Sequence, residues 1–446
     1  MPTDSFRPTH RGMRSARGPG RRHPHELASA IAVTLSLGGA AFGARAEAPL
    51  SFEQALHLAQ DRSRQLVAQD AAASAAREMA VAAGQLPDPT VTAGINNLPI
   101  DGPDRFSVGR DFMTQRSIGV TQEFTRIDKR EARAARFDRE AEAAEAGRAL
   151  ALSNLQRDTA IAWLDRYYQE GMRDVLVMQR DEARLLIEAA EAAYRGGHGS
   201  QTDVFAARSS VAQIEDRIAQ TDGQLASAKT QLARWVGDAA TRPLAAPPEI
   251  DAVRLNPADL ETRLEHHPQI AVMVGQEKMA EADAQLARAN RRPDWSVQLM
   301  YSQRGSTFSN MVSLNVSVPV PWDRARRQDR ELAAKLATVE QMRAEREDAS
   351  RAHVAEALAM LQEWHSDRDR LSRYDASLLP LAEERKQAAL AAYRGGSQPL
   401  SVALDARRND IDTRIDRLRL EMETARLWAQ LNYLIPVGHD LATHGQ

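Results

Sequence analysis

Ala192-Ala193-Tyr194-Arg195-Gly196-Gly197 returns as Ala391-Ala392-Tyr393-Arg394-Gly395-Gly396, and Ala207-Arg208 returns in the same frame as Ala406-Arg407. The offset is 199 positions (391 − 192) in a chain of 446 residues. Two adjacent glycines inside long, charged, alanine-rich sequence mark a reversal between helices. A reversal repeated at about half the chain length implies two copies of one helical hairpin. A second echo precedes each hairpin. Gln85-Leu86-Pro87-Asp88-Pro89 and Arg291-Arg292-Pro293-Asp294-Trp295 each follow an alanine-rich helix and open a stretch of alternating residues. The unit that repeats is therefore helix–strand–strand–helical hairpin.

Working outward, Leu50 to Gln85 reads as a helix with Ser51 as N-cap and Gln54 as capping-box partner. Arg126 to Arg195 is proline-free and rich in Ala, Glu, Arg and Leu, roughly 105 Å if continuously helical. Gly199 to Val236 follows, with Ile214, Ile218, Thr221, Leu225, Ala228, Leu232 and Trp235 on a heptad seam. The second half repeats this order: a helix from Leu260 to Arg291, a long helix from Arg324 to Arg394 containing Pro380, and a return from Ser401 to Leu434. Ile411, Ile415, Leu418 and Met422 form its seam. The predicted division is 1–46 targeting segment, 47–250 first repeat, 251–436 second repeat and 437–446 tail, with Arg242 to Pro257 as linker.

The N-terminal segment has three parts: a basic region from Arg7 to Arg22, an apolar and small region from Leu27 to Phe42, and an Ala44-Arg45-Ala46 cleavage site. That pattern is a secretory signal peptide. It carries seven Arg, Asp4 and Glu26, so the expected mature chain keeps 51 basic and 59 acidic residues, net −8. Such a balance argues against a nucleic-acid partner. There is no cysteine, hence no disulfide and no thiolate metal site. Aromatic residues are 5% and charged residues 27%, which suits extended helices with narrow buried stripes better than a globular core.

The strand segments carry the functional signal. Val312, Leu314, Val316, Val318 and Val320 alternate with Ser313, Asn315 and Ser317; Val297, Leu299 and Tyr301 alternate with Ser296, Gln298 and Ser302. In the first half Val91, Ala93 and Ile95, then Ile118 and Val120, do the same. Strands are expected at about 90–98, 116–124, 295–304 and 310–321. Period two puts the apolar set on one face, and each run is long enough to cross a bilayer as a tilted strand. A soluble hairpin with one face on a core would show the same alternation. The barrel reading is favoured because seven of the 22 aromatics fall here: Phe106, Phe112, Phe124, Trp295, Tyr301, Phe308 and Trp322. Barrel girdles need such residues near strand ends. Four strands cannot close a barrel, and open edges are forbidden in hydrocarbon, so at least two chains must share one.

From Leu50-Ser51-Phe52-Glu53-Gln54-Ala55-Leu56 to the last helix, the chain resembles the TolC-like outer-membrane efflux proteins. The segments Tyr194 to Gly197 followed by Thr202-Asp203-Val204, and Tyr393 to Gly396 followed by Leu404-Asp405-Ala406-Arg407, look like that family's periplasmic tips. Gly94-Ile95-Asn96-Asn97-Leu98-Pro99, Met113-Thr114 and Gly119 to Phe124 with Lys129-Arg130 resemble its heavy-metal branch. The fold class this implies is mainly α with a transmembrane β-barrel. Duplicated long helical hairpins form a periplasmic α-barrel, and four β-strands per protomer enter a shared twelve-stranded barrel. The implied function is a passive exit duct in a homotrimer in the outer membrane. It serves an inner-membrane resistance–nodulation–division pump through a periplasmic adaptor (membrane fusion) protein. Two other readings stay open: a duct for drugs or secreted polypeptide, and a soluble periplasmic coiled-coil scaffold or adaptor.

The resemblance assigns adaptor contact to Tyr194, Arg195, Gly196, Gly197, Tyr393, Arg394, Gly395 and Gly396. It assigns a periplasmic gate to Thr202, Asp203, Tyr393 and Asp405, with an Asp203–Tyr393 link. Gln398 stands where that family often has an arginine, and Val402 where a second acidic ring lies. Asp203 and Asp405 are equally readable as ordinary helix-start acids. His266-His267, His353 and His365 lack metal-ligand spacing and read as solvated. There is no G-x-S-x-G, P-loop or G-x-G-x-x-G; no catalysis, no cofactor and no metal site is expected.

Overall fold

The structure is a computed structural model that describes residues 48–254 and 267–436. The targeting segment, the 437–446 tail, His266 and the expected helix start at Leu260 lie outside the described residues. The first repeat comprises α1 (Phe52–Arg62), α2 (Arg64–Ala83), β1 (Thr90–Asn96), β2 (Gln115–Phe124), α3 (Ile127–Arg195) and α4 (Gln201–Val236). The second comprises α5 (Pro268–Ala289), β3 (Trp295–Gln303), β4 (Met311–Ser317), α6 (Gln328–Arg373), a π turn (Tyr374–Leu378), α7 (Leu379–Arg394) and α8 (Leu400–Asn432). The chain is mainly helical.

Ser51 accepts the N–H of Gln54 at 3.1 Å, and the Gln54 side chain reaches back to the cap. The helix expected over 50–85 is two helices. The Ser63 hydroxyl accepts the Leu66 N–H at 3.3 Å and starts α2 afresh, a capping bond that competes with helix continuation. The helix expected over 324–394 begins at Gln328 and is interrupted before Pro380. A proline has no N–H to donate and crowds the preceding turn, and here the ladder widens so that the Leu379 N–H reaches the Tyr374 carbonyl. Arg417 on α8 pins that π turn through Asp375 at 2.8 and 3.3 Å.

The seam of α4 is buried at Ile214, Ile218, Thr221, Leu225, Ala228 and Leu232. Its last position is Val236 rather than Trp235, whose ring instead lies under the Arg234 guanidinium. The expectation of narrow stripes alone is corrected by an aromatic knot. Phe52 meets Trp163 edge-on at 5.7 Å and Trp428 at 5.8 Å. The Trp163 indole donates to the Leu50 carbonyl, and Trp428 to that of Ala252. Arg166, 2% exposed along its side chain, donates to the Ala240 and Arg242 carbonyls at 2.7 and 2.8 Å. Leu50 pairs with Leu244 as an isolated parallel bridge. Both chain segments flanking the first repeat are thus clamped on α3.

The four strands form one antiparallel sheet in the order β1-β2-β3-β4. Cross-strand rows are Val91–Val120–Leu299–Leu314 and Ala93–Ile118–Tyr301–Val312. The opposite face carries Thr90–Thr121–Gln298–Asn315 and Thr92–Gly119–Met300–Ser313. β4 stops at Ser317, short of 321, because Pro319 and Pro321 have no N–H to offer a ladder.

Candidate functional site

Two regions have the geometry for function: the sheet and the hairpin tips. The sheet's apolar face is left uncovered among the described residues. Val91, Ile118, Leu299, Leu314 and Val316 are 55–67% exposed. A soluble hairpin would bury this face, as water-exposed contiguous apolar surface is costly. Among the described residues no helix is long and apolar enough to cross a membrane.

The tips are built identically from the two Tyr-Arg-Gly-Gly copies. The first glycine of each pair keeps helical angles, φ −80° at Gly196 and −78° at Gly395. The second is left-handed, φ +74° at Gly197 and +72° at Gly396. His198 N–H bonds to the Ala193 carbonyl and Gly197 N–H to that of Tyr194; Ser397 and Gly396 repeat the pattern on Ala392 and Tyr393. This is a Schellman closure, which needs a residue that tolerates positive φ. Gly196, Gly197, Gly395, Gly396, Arg195 and Arg394 are exposed at the reversal.

The two tyrosines then diverge. Tyr194 is exposed, whereas Tyr393 is half-buried against a cluster of Val204, Ala207, Leu400 and Ala403 that joins the hairpins. Burial, then the nearby Asp203 charge, raises the Tyr393 hydroxyl pKa. Tyr393 and Asp203 are therefore neighbours across the hairpins, yet no hydrogen bond between them occurs among the described residues. The Asp203 carboxylate is engaged by Ser200, accepting its N–H at 3.0 Å and its hydroxyl at 2.7 Å in a capping box. Thr202 and Asp405 are exposed.

Above the tip lies a buried ionic cluster that reading the sequence missed. Lys386 on α7 donates to Glu383 at 2.6 Å and to Asp410 on α8 at 3.0 Å. Arg414 bonds both Asp410 (2.9 Å) and Glu383 (2.7 Å). The Asp410 side chain is fully buried. Hydrogen bonds from Lys386 and Gln387, with the Lys386 and Arg414 charges, hold the Glu383 carboxyl at about 2 despite some burial. Arg407 reaches across to α3, donating to the Gln179 carbonyl at 2.8 Å and pairing with Glu182 at 3.0 Å. The 199-residue offset contained the signal. Residues 184, 187, 211 and 215 are Arg, Ile, Val and Glu, against Glu383, Lys386, Asp410 and Arg414. The Arg184–Glu215 pair at 2.7 Å is the charge-reversed twin of Glu383–Arg414.

The histidines are not uniformly solvated. His267 is 4% exposed and lies 4.8 Å from the His353 ring. It caps α5 by accepting the Gln269 N–H on Nδ1 at 3.2 Å. Burial foremost, then His353, lowers its pKa to about 4. His365 is exposed beside Trp364. No group of three or more metal-ligating side chains occurs among the described residues.

These features define a class: a duplicated helical-hairpin chain whose sheet has its apolar face outward. Residues 260–435 match the family described as "Outer membrane efflux protein". No curated protein matches the sequence. The fold is shared with solved channels. The outer-membrane channel OprN superposes with a TM-score of 0.72 at 18% identity, over 86% of this chain and 89% of that one. VceC, an outer membrane protein of Vibrio cholerae, gives 0.72 at 16%, over 86% and 95%. CusC, described in terms of transmembrane channel formation, gives 0.69 at 20%, over 85% and 92%.

Proposed function

We propose that the chain is the outer-membrane channel of a tripartite efflux system, a passive exit duct for heavy-metal cations. Three protomers share a twelve-stranded barrel in the outer membrane, and their long hairpins form an α-barrel in the periplasm. A periplasmic adaptor meets the tips at Tyr194 to Gly197 and Tyr393 to Gly396, and an inner-membrane resistance–nodulation–division pump supplies the cargo. The observation that carries the channel reading is the uncovered apolar face of the sheet, which lipid satisfies and water does not. The outer membrane efflux protein match over 260–435 supports it. The cation cargo rests on the resemblance of the Gly94–Pro99 and Gly119–Phe124 segments to the heavy-metal branch.

The test is loss of the gene. Cells lacking the protein should become sensitive to zinc, cobalt, cadmium, copper or silver, with unchanged sensitivity to detergents and dyes. The reverse pattern overturns the cargo, and recovery of the mature chain from the soluble periplasm overturns the channel. At the proposed gate of Thr202, Asp203, Tyr393 and Asp405, Asp203→Ala or Tyr393→Phe should raise single-channel conductance in planar bilayers. Unchanged conductance removes the gate.

A further inference from the structure

The sheet has two open edges, β1 and β4, while its middle joint, β2–β3, is where the first repeat meets the second. That joint is a template for how one protomer's second repeat meets the next protomer's first. In it Phe124 stacks on Trp295 at 4.3 Å. Just beneath, Asp294 accepts the Arg126 N–H at 3.0 Å and the Lys129 Nζ at 2.8 Å, with Lys129 only 7% exposed.

Each component has a counterpart left without a mate. Asp88 stands 206 positions before Asp294 in the matching Pro-Asp echo. Trp322, 198 positions after Phe124, is followed by Arg324 and Arg327 as Phe124 is by Arg126 and Lys129. The tip offset of 199 exceeds 198 by one residue, which the intervening π turn absorbs. Asp88, Arg324 and Arg327 are exposed and make no ion pair among the described residues. Trp322 is 96% exposed. On the adjoining helices, Val81 of α2 is 64% exposed whereas its counterpart 206 positions on, Ala287 of α5, is 4% exposed.

Resting on the channel reading above, we propose that the next protomer's Asp88 clasps Arg324 and Arg327, beneath a stack of Trp322 on that protomer's Pro89. This clasp sets the register in which β4 pairs with the neighbouring β1. Transferring the pairs Phe124–Trp295, Val120–Leu299 and Ile118–Tyr301 gives Trp322–Pro89, Val318–Ala93 and Val316–Ile95. All of these place apolar residues on the lipid face; a slip of one residue would set Val318 opposite Thr92 or Gly94 and turn the faces over. The pairing also removes both open edges, as hydrocarbon requires.

The chain has no cysteine, so introduced ones report cleanly. Oxidised outer membranes carrying Ala93→Cys with Val318→Cys should yield disulfide-linked dimers and trimers, and neither single variant should. Asp88→Arg, at an exposed residue with no ion pair among the described residues, should lower the yield of detergent-resistant trimer about tenfold. Adding Arg324→Asp and Arg327→Asp should restore it. If the wild type forms trimers in the outer membrane but the double-cysteine variant gives no cross-link, or the swapped charges give no rescue, the clasp is overturned and the channel stands. A wild-type chain that is monomeric and soluble overturns the channel reading, and the clasp with it.

Discussion

The ionic cluster above the tip can be tested against the protein's own other half. Lys386 and Asp410 are 6% and 0% exposed, and their first-repeat counterparts are Ile187 and Val211. Lys386→Ile removes one partner from a buried pair, a change that costs about 3–5 kcal/mol. Asp410 keeps Arg414 at 2.9 Å, which points to about 3 kcal/mol. Asp410→Val leaves Lys386 with Glu383 at 2.6 Å and should cost a similar amount. Additive behaviour would give a loss of about 6 kcal/mol for the double variant. The structure argues otherwise. Lys386→Ile with Asp410→Val recreates the apolar contact of the first repeat and keeps Glu383–Arg414 as the twin of Arg184–Glu215. Exchanging a whole buried ion pair for apolar residues is neutral or stabilising by about 1–4 kcal/mol. Helix propensity hardly changes this, since Lys→Ile loses only about a few tenths of a kcal/mol and Asp→Val is close to neutral. The double variant should therefore be about as stable as wild type or up to about 4 kcal/mol more stable, with both singles far below it. Denaturation of the detergent-solubilised protein, followed by far-ultraviolet circular dichroism in a double-mutant cycle, measures this. A double variant as unstable as the two singles combined refutes the reasoning.

Further expectations follow from other sites. Gly396→Ala forces φ +72° on an L side chain and should destabilise by about 1–2 kcal/mol. Gly171→Ala, inside α3 with open space around it, should instead stabilise by roughly 0.5–1 kcal/mol; equal shifts in melting temperature would contradict the Schellman assignment. Trp163→Ala empties a fully buried site that also anchors Leu50 and should cost about 3–5 kcal/mol, with limited proteolysis near residue 50 as an independent readout. His267 titrates at about 4 in the folded protein against an ordinary value of 6.5. Between those values the unfolded chain holds the extra proton, so stability falls as pH drops from 6.5 to 4 and is level above 6.5. His267→Asn keeps a capping acceptor and should flatten that slope; an unchanged pH profile would show that His267 is not its source.

Much of this architecture is written locally. The Tyr-Arg-Gly-Gly echoes, the Ser51–Gln54 box and the strand alternation depend only on backbone preference and side-chain period, which neighbours in sequence determine. The exits from those expectations have local causes too: a Ser63 hydroxyl, and Pro380 displacing the helix ladder. The candidate site is less legible. The tip glycines could be assigned from the repeat, but Asp203 in the structure serves Ser200, a choice between two acceptable partners that the sequence leaves equal.

By itself the sequence determined the duplication, the order of elements and the two-faced character of the strands, because each follows from periodicity and from glycine or proline chemistry. Only the tertiary structure decided that the apolar sheet face stays uncovered among the described residues, that Phe52, Trp163 and Trp428 converge, and that Lys386 finds Asp410. Those outcomes depend on contacts between residues far apart in the chain. Burial and ion pairing act through distances in space, which no short-range pattern encodes.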